Sequence, residues 1–201
     1  ADLRLPDVAL FVGAATWDMR CLAVTKLSTD SPHHDALLLD YEDRGQSGRL
    51  QAHDEVLTDF FDTAASGTVD RLAINSRSLV NAWADLKAHV LARYASYGRP
   101  ISVALDLNSV PRYLVLSLIG FGSRTGIITK CVAIYAAASE YELGSSTTFT
   151  QGTWVPRSIP TLGQGASPSA RSLLVVAAGF EGANTLRLVN ALEPDRVVIA
   201  L

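Results

Sequence analysis

The chain has 201 residues, 48% of them hydrophobic, with a mean hydropathy of +0.20, so it is long and apolar enough to bury a core and disorder is excluded. A formal net charge of −3 and a pI of about 5.8 leave no basic field to hold a long nucleic acid by counterion release. No apolar run approaches the roughly 20 residues of a membrane-spanning helix, which excludes that class of membrane protein.

Strand-like and helix-like segments alternate along the chain, the pattern of repeated βαβ units. Residues 8–12 read as a first strand broken by Gly13, and 17–27 have helical spacing. Residues 36–40 (ALLLD) predict a second strand, ended by the polar turn 41–48. An amphipathic helix follows over 50–65, with Val56, Leu57, Phe60 and Phe61 on its apolar side. A third strand is expected over 69–75 and the longest helix over 79–96, where Leu79, Trp83, Leu86, Val90 and Tyr94 recur at helical steps. Gly98 and Pro100 stop that helix.

Residues 101–107 predict a fourth strand, 113–120 a helix and 127–135 a fifth strand. Segment 144–171 is rich in Ser, Thr, Gly, Pro and Gln without a sustained period, and reads as a functional loop, a lid or a linker. Beyond it, 173–178, 179–192 and 196–201 predict strand, helix and strand. The runs 101–107 and 173–178 have the continuous apolar character of buried parallel strands. The expected fold is α/β, Rossmann-like and doubly wound, with a mainly parallel sheet and helices on both faces. Its expected organisation is a domain over 1–143, the loop over 144–171, and a strand-helix-strand over 172–201 that completes the sheet or starts a truncated second unit.

In a doubly wound sheet, ligands bind outside the carboxyl ends of the strands, where the strand order reverses. With the order 3-2-1-4-5, that crevice lies between strands one and four. The turn after strand one carries Gly13, Thr16 and Asp18. Glycine lets the backbone turn or approach a ligand closely, and Thr16 or Asp18 caps the next helix, whose free amides favour an anion. The turn after strand four is Asp106-Leu107-Asn108-Ser109-Val110-Pro111-Arg112. An acid ending a buried strand needs a partner, Asn108 and Ser109 are capping types, and Pro111 suits a first helical turn. Arg112 opposes the helix dipole there, which a phosphate to hold, or pairing with Asp106, would explain. Both turns also read as ordinary βα connections.

The run DLNSVPR, after a hydrophobic fourth strand and before an apolar helix, resembles the motif of CARF domains and the related SAVED domains. In those families a strand ends in Asp, followed by small hydroxyl or amide residues and a Lys or Arg opening the helix. Thr16, after a glycine-bearing turn, also falls where CARF-type domains contact ligand. The resemblance covers roughly residues 8–135 and differs at Pro111 and at the Ser-Val pair 109–110. It implies a sensor of cyclic or linear oligonucleotide messengers in prokaryotic antiviral defence, with Asp106, Asn108, Ser109 and Arg112 as motif residues.

Secondary candidates are Asp40 after strand two, Asn75-Ser76-Arg77 after strand three, the glycine-rich turn 179–184, and Glu140 or Glu142 as glycosidase-like acids. Cys21 and Cys131 each sit in an apolar segment and read as buried free thiols in a reducing, cytoplasmic compartment. His33, His34, His53 and His89 lack the spacing of a metal set, and no nucleophile elbow occurs. Residues 1–5 are too short and mixed for a signal peptide, and the missing initiator Met and strand-like end suggest a piece of a longer protein. The expectation is a non-catalytic nucleotide-binding sensor without metal or cofactor, acting as a homodimer or within a larger defence complex. The rivals are a nucleotide hydrolase or N-glycosidase-type enzyme using Asp18, Asp106 or Glu140, and a partner-binding domain without ligand.

Overall fold

The computed structural model describes residues 7–27, 34–42, 48–64, 66–75, 78–138, 159–160, 162, 171–177 and 182–200. The chain divides into two units, Ala1–Ser139 with Ile159–Leu162, and Glu140–Ser158 with Gly163–Leu201. In the first unit β1 (Leu10–Gly13), a 3₁₀ segment (Met19–Lys26), β2 (His34–Tyr41), α1 (Gly48–Ala64) and β3 (Ser66–Ile74) are followed by α2 (Leu79–Tyr97), β4 (Ile101–Asp106), α3 (Arg112–Thr125) and β5 (Ile128–Ile134). The strands form one sheet of order β3-β2-β1-β4-β5 in which every pairing is parallel. This is the α/β, Rossmann-like architecture expected from the alternation, with β1 beside β4.

Side chains alternate across the strands, and each face of the sheet buries its own layer. On one face, Leu10, Val12, Leu37, Leu39, Val103 and Leu105 pack against Trp83, Leu86 and Val90 of α2 and Leu114, Leu118 and Phe121 of α3. Trp83 and Phe121 meet edge to face at 5.8 Å, joining the two helices. On the other face, Phe11, Ala36, Leu38 and Ala104 pack against Val24, Leu57 and Phe61. The central strands are covered on both sides, which is why they read as unbroken apolar runs.

Two helices differ from their expected form. Residues 17–27 have helical spacing, but Met19–Lys26 is wound as 3₁₀. Cys21 N–H donates to the Asp18 carbonyl, Leu27 N–H to that of Val24, and the Thr25 hydroxyl takes the Leu22 carbonyl at 2.8 Å. These three-residue closures take up carbonyls that an α-helix would use for four-residue bonds. Helix α3 runs past Gly120 to Thr125. A Cβ at Gly122 would lie 2.6 Å from Cβ of Ile128, so the bare backbone lets α3 lie against β5. The helix ends at Gly126, whose φ of 69° closes it in the left-handed conformation.

In the second unit β6 (Leu173–Ala177), α4 (Gly182–Leu192) and β7 (Arg196–Ala200) form a parallel βαβ unit with its own two-stranded sheet. Buried strand character was expected over 173–178, yet Leu173 and Val175 are about 60% exposed, and Val198 and Ile199 of β7 about 50%. Among the described residues β6 and β7 pair only with each other, so neither is a central strand. Cys131 departs from expectation in the same way: β5 is a sheet edge, and the thiol is exposed, whereas Cys21 is buried. No helix among the described residues is long and apolar enough to cross a membrane.

Candidate functional site

The chain leaves β1 towards β2 across the face covered by the 3₁₀ segment and α1. It leaves β4 towards β5 across the face covered by α2 and α3. The two exits diverge at neighbouring strands, β1 and β4, the switch point outside which such sheets bind their ligands.

The Ser109 hydroxyl ties these exits together. It accepts the Ala14 amide at 3.0 Å and donates to Asp106 Oδ2 at 2.5 Å. Asp106 Oδ1 takes the Asn108 amide at 3.0 Å, so the carboxyl spends both oxygens on its own turn. The Tyr41 hydroxyl, from the end of β2, donates to the Ser109 carbonyl at 2.7 Å. Burial pushes the Asp106 carboxyl above the usual carboxylate range, and the nearby charge of Asp18 adds to this; the Ser109 and Asn108 donors and the Arg20 charge oppose it. Asp106 is therefore a brace within its loop, and of the two explanations for Arg112 the pairing with Asp106 is not formed.

The β1 exit is braced as firmly. The Thr16 hydroxyl accepts the Asp18 amide at 3.3 Å. Asp18 caps the 3₁₀ segment by accepting the Arg20 amide at 2.9 Å and binds the Arg20 side chain at 2.8 Å (Nε) and 2.5 Å (Nη2). The Arg20 hydrogen bonds hold the Asp18 carboxyl below its ordinary value despite partial burial. Gly13 was expected to ease a turn or a ligand's approach, but its φ is not in the left-handed region. A Cβ there would lie 2.6 Å from the Phe11 ring, so the glycine makes room for Phe11, which stacks on Phe61 at 4.6 Å.

Beneath this turn, His53 Nδ1 lies 2.7 Å from the Thr16 carbonyl, and Cys21 Sγ lies 3.8 Å from the same oxygen. A carbonyl only accepts, so Nδ1 carries the proton and cannot take one from the thiol 3.7 Å away. Burial pushes the Cys21 thiol up, away from the reactive thiolate. The pair is a buried clasp between α1 and the β1 exit. His53, Cys21, Arg20 and Tyr41 were not singled out in the sequence as parts of this site. The one legible signal was the Asp-x-Arg spacing of Asp18 and Arg20.

Two groups remain uncommitted at the β4 exit. The Asn108 side-chain oxygen is buried without a hydrogen-bond partner, while its Nδ2 reaches the Ala136 carbonyl only at 3.5 Å. Arg112 stands exposed at the first position of α3 and makes no ion pair with any described residue. A buried lone acceptor and a free guanidinium, four residues apart on one turn, can take a donor and an anion.

Asp40 is paired with Arg71 at 3.0 Å, an arginine that also holds Asp54. Ser76, Arg77, Glu140, Glu142, His33, residues 178–181 and nearly all of 144–171 lie outside the described residues. No group of three or more His, Cys, Asp or Glu able to hold a metal occurs among the described residues. Comparison of the chain with protein-family models, curated proteins and solved structures finds no match to any of them.

Proposed function

We propose that this chain is a non-catalytic binding module for a nucleotide-class ligand, seated in the crevice over β1 and β4. The observation that carries this reading is the pairing of a buried, unpartnered Asn108 oxygen with the exposed, unpaired Arg112 at the switch point of the sheet. Arg112 suits a phosphate, since a guanidinium at a helix start gains from an anion that also offsets its conflict with the dipole. The Asn108 oxygen suits a sugar hydroxyl or an amino group. Gly13, Thr16, Asp18, Asp106 and Ser109 shape the walls through their mutual bonds and packing.

A non-catalytic role is favoured because the described candidate acids and nucleophiles of the two exits are committed. Asp18 is clamped by Arg20, Asp106 by Ser109 and Asn108, and Cys21 lies protonated beneath Thr16. The resemblance of DLNSVPR to the CARF and SAVED motif narrows the ligand to a cyclic or linear oligonucleotide messenger. A cytoplasmic defence sensor, working as a homodimer or within a larger complex, follows from the same resemblance.

A thermal-denaturation screen with mononucleotides, NAD, and cyclic and linear oligonucleotides tests the reading. A true ligand at 100 times its Kd adds about 2.7 kcal/mol of stability. Arg112→Ala is expected to lower that ligand's affinity tenfold or more while leaving the unliganded melting temperature unchanged, because the side chain is exposed and unpaired. A screen in which no nucleotide raises the melting temperature rejects the module. Turnover of a nucleotide that is lost in Asp106→Ala while binding is retained would put an enzyme in its place.

A further inference from the structure

We infer that the ligand of this crevice is read through an aromatic base, and that Trp17 is the surface on which the base stacks; this deepens the nucleotide-binding reading and rests on it. Trp17 is 69% exposed, a costly place for the largest apolar side chain, whereas Trp83 is buried between α2 and α3. Its neighbour Met19 is 70% exposed, so the lip of the β1 exit presents two large apolar groups to solvent together.

The backbone carrying Trp17 is held on both sides. Before it, the Ala14 amide is bound to Ser109, and the Thr16 carbonyl receives His53. After it, Asp18 is anchored by the Arg20 amide and guanidinium. A side chain exposed because its loop is loose needs no explanation. One exposed on a loop this heavily braced is a presented surface.

The chemistry of the remaining groups fits one ligand class. With Arg112 engaged edge-on by an anion and the Asn108 oxygen by a donor, a base still needs an aromatic face to lie on. An indole supplies one, and stacking of a base on it tolerates any base while rejecting a ligand that has none. The three groups together describe a phosphate, a hydroxyl or amino donor, and a flat aromatic moiety.

The test is a titration of the intact chain with inorganic pyrophosphate and with the tightest-binding nucleotide of the screen, following tryptophan fluorescence and heat of binding. Trp17→Ala is expected to weaken the nucleotide about tenfold and leave pyrophosphate unchanged. Trp17→Phe is expected to recover most of the loss, since a smaller ring still stacks. Arg112→Ala is expected to weaken both probes. Nucleotide affinity equal in Trp17→Ala and the parent chain overturns the stacking role while the crevice reading stands. Failure of every nucleotide and of pyrophosphate to bind the parent chain overturns the crevice reading and the stacking role with it.

Discussion

At the scale of single residues, the crevice is held by side chains that look interchangeable in the sequence. Ser109 is one of many serines, yet its hydroxyl both accepts from the β1 exit and donates to Asp106. Ser109→Ala would leave the Ala14 amide without its acceptor and remove a donor from a buried carboxyl. The expected cost is about 1–3 kcal/mol, read from urea denaturation, because both groups stay desolvated when the hydroxyl goes. An unchanged midpoint would mean that water replaces the hydroxyl and that the two exits are not coupled through it. The residues expected to hold ligand thus divide into those that brace the turn and those, Asn108 with its buried side-chain oxygen and Arg112 with its exposed guanidinium, whose polar groups have no partner among the described residues.

At the scale of elements, the end of α2 is locked to the amino ends of β2 and β3, far from the crevice. Asp35 Oδ2 accepts the Tyr97 hydroxyl at 2.6 Å and Arg93 at 3.0 Å, and its Oδ1 accepts the Thr68 amide and hydroxyl, each at 2.9 Å. Arg93 also bonds Asp70, and His89 Nε2 approaches Asp70 at 3.5 Å. Burial pushes the Asp35 carboxyl up, but the Tyr97 and Thr68 donors and the Arg93 charge outweigh it and hold the group below its ordinary value. Burial pushes His89 down against the pull of Asp70. Burial and the bond to Asp35 push the Tyr97 hydroxyl up to about 12.

The signs follow from linkage. Asp35 and His89 have depressed folded values, so their stabilisation is present above their unfolded values and is lost as the pH falls. Tyr97 has a raised value, so its contribution is complete below about pH 10 and is lost as the pH rises towards about 12. Cys21, whose thiol burial also pushes up, begins to lose its contribution above about pH 9, so stability is expected to be greatest between roughly pH 7 and 9. Tyr97→Phe should flatten the part of the alkaline limb between about pH 10 and 12 and leave the Cys21 part below it, as checked by urea midpoints across that range. A wild-type alkaline slope in that variant would show that the hydroxyl is not bonded to Asp35 in solution.

At the scale of the whole molecule, the two units differ in how completely they cover their sheets. β1 and β4 are almost wholly buried between helices on both faces, whereas every residue of β7 is exposed. Amides open according to the apolar contacts that must be broken to free them. Hydrogen exchange is expected to be slowest in Leu10–Gly13 and Ile101–Asp106 and at least tenfold faster in Arg196–Ala200. Equal protection of the two sets, measured by mass spectrometry, would mean that β7 is covered in solution.

Local pattern carried much of this molecule. Apolar runs of strand length alternating with helical spacings determined a parallel α/β sheet, and the polar turns marked its exits, because side-chain period and turn chemistry are properties of neighbouring residues. The acid, amide and hydroxyl of DLNSVPR were legible as a candidate site for the same reason. Only the fold decided their roles. Which oxygen of Asp106 meets Ser109, why Gly13 must clear Phe11, and how His53 comes under Thr16 depend on strands distant in sequence being adjacent in space. Burial of Cys21 and exposure of Cys131 were decided in the same way, since an apolar run does not say whether its strand ends up at the centre of a sheet or at its edge.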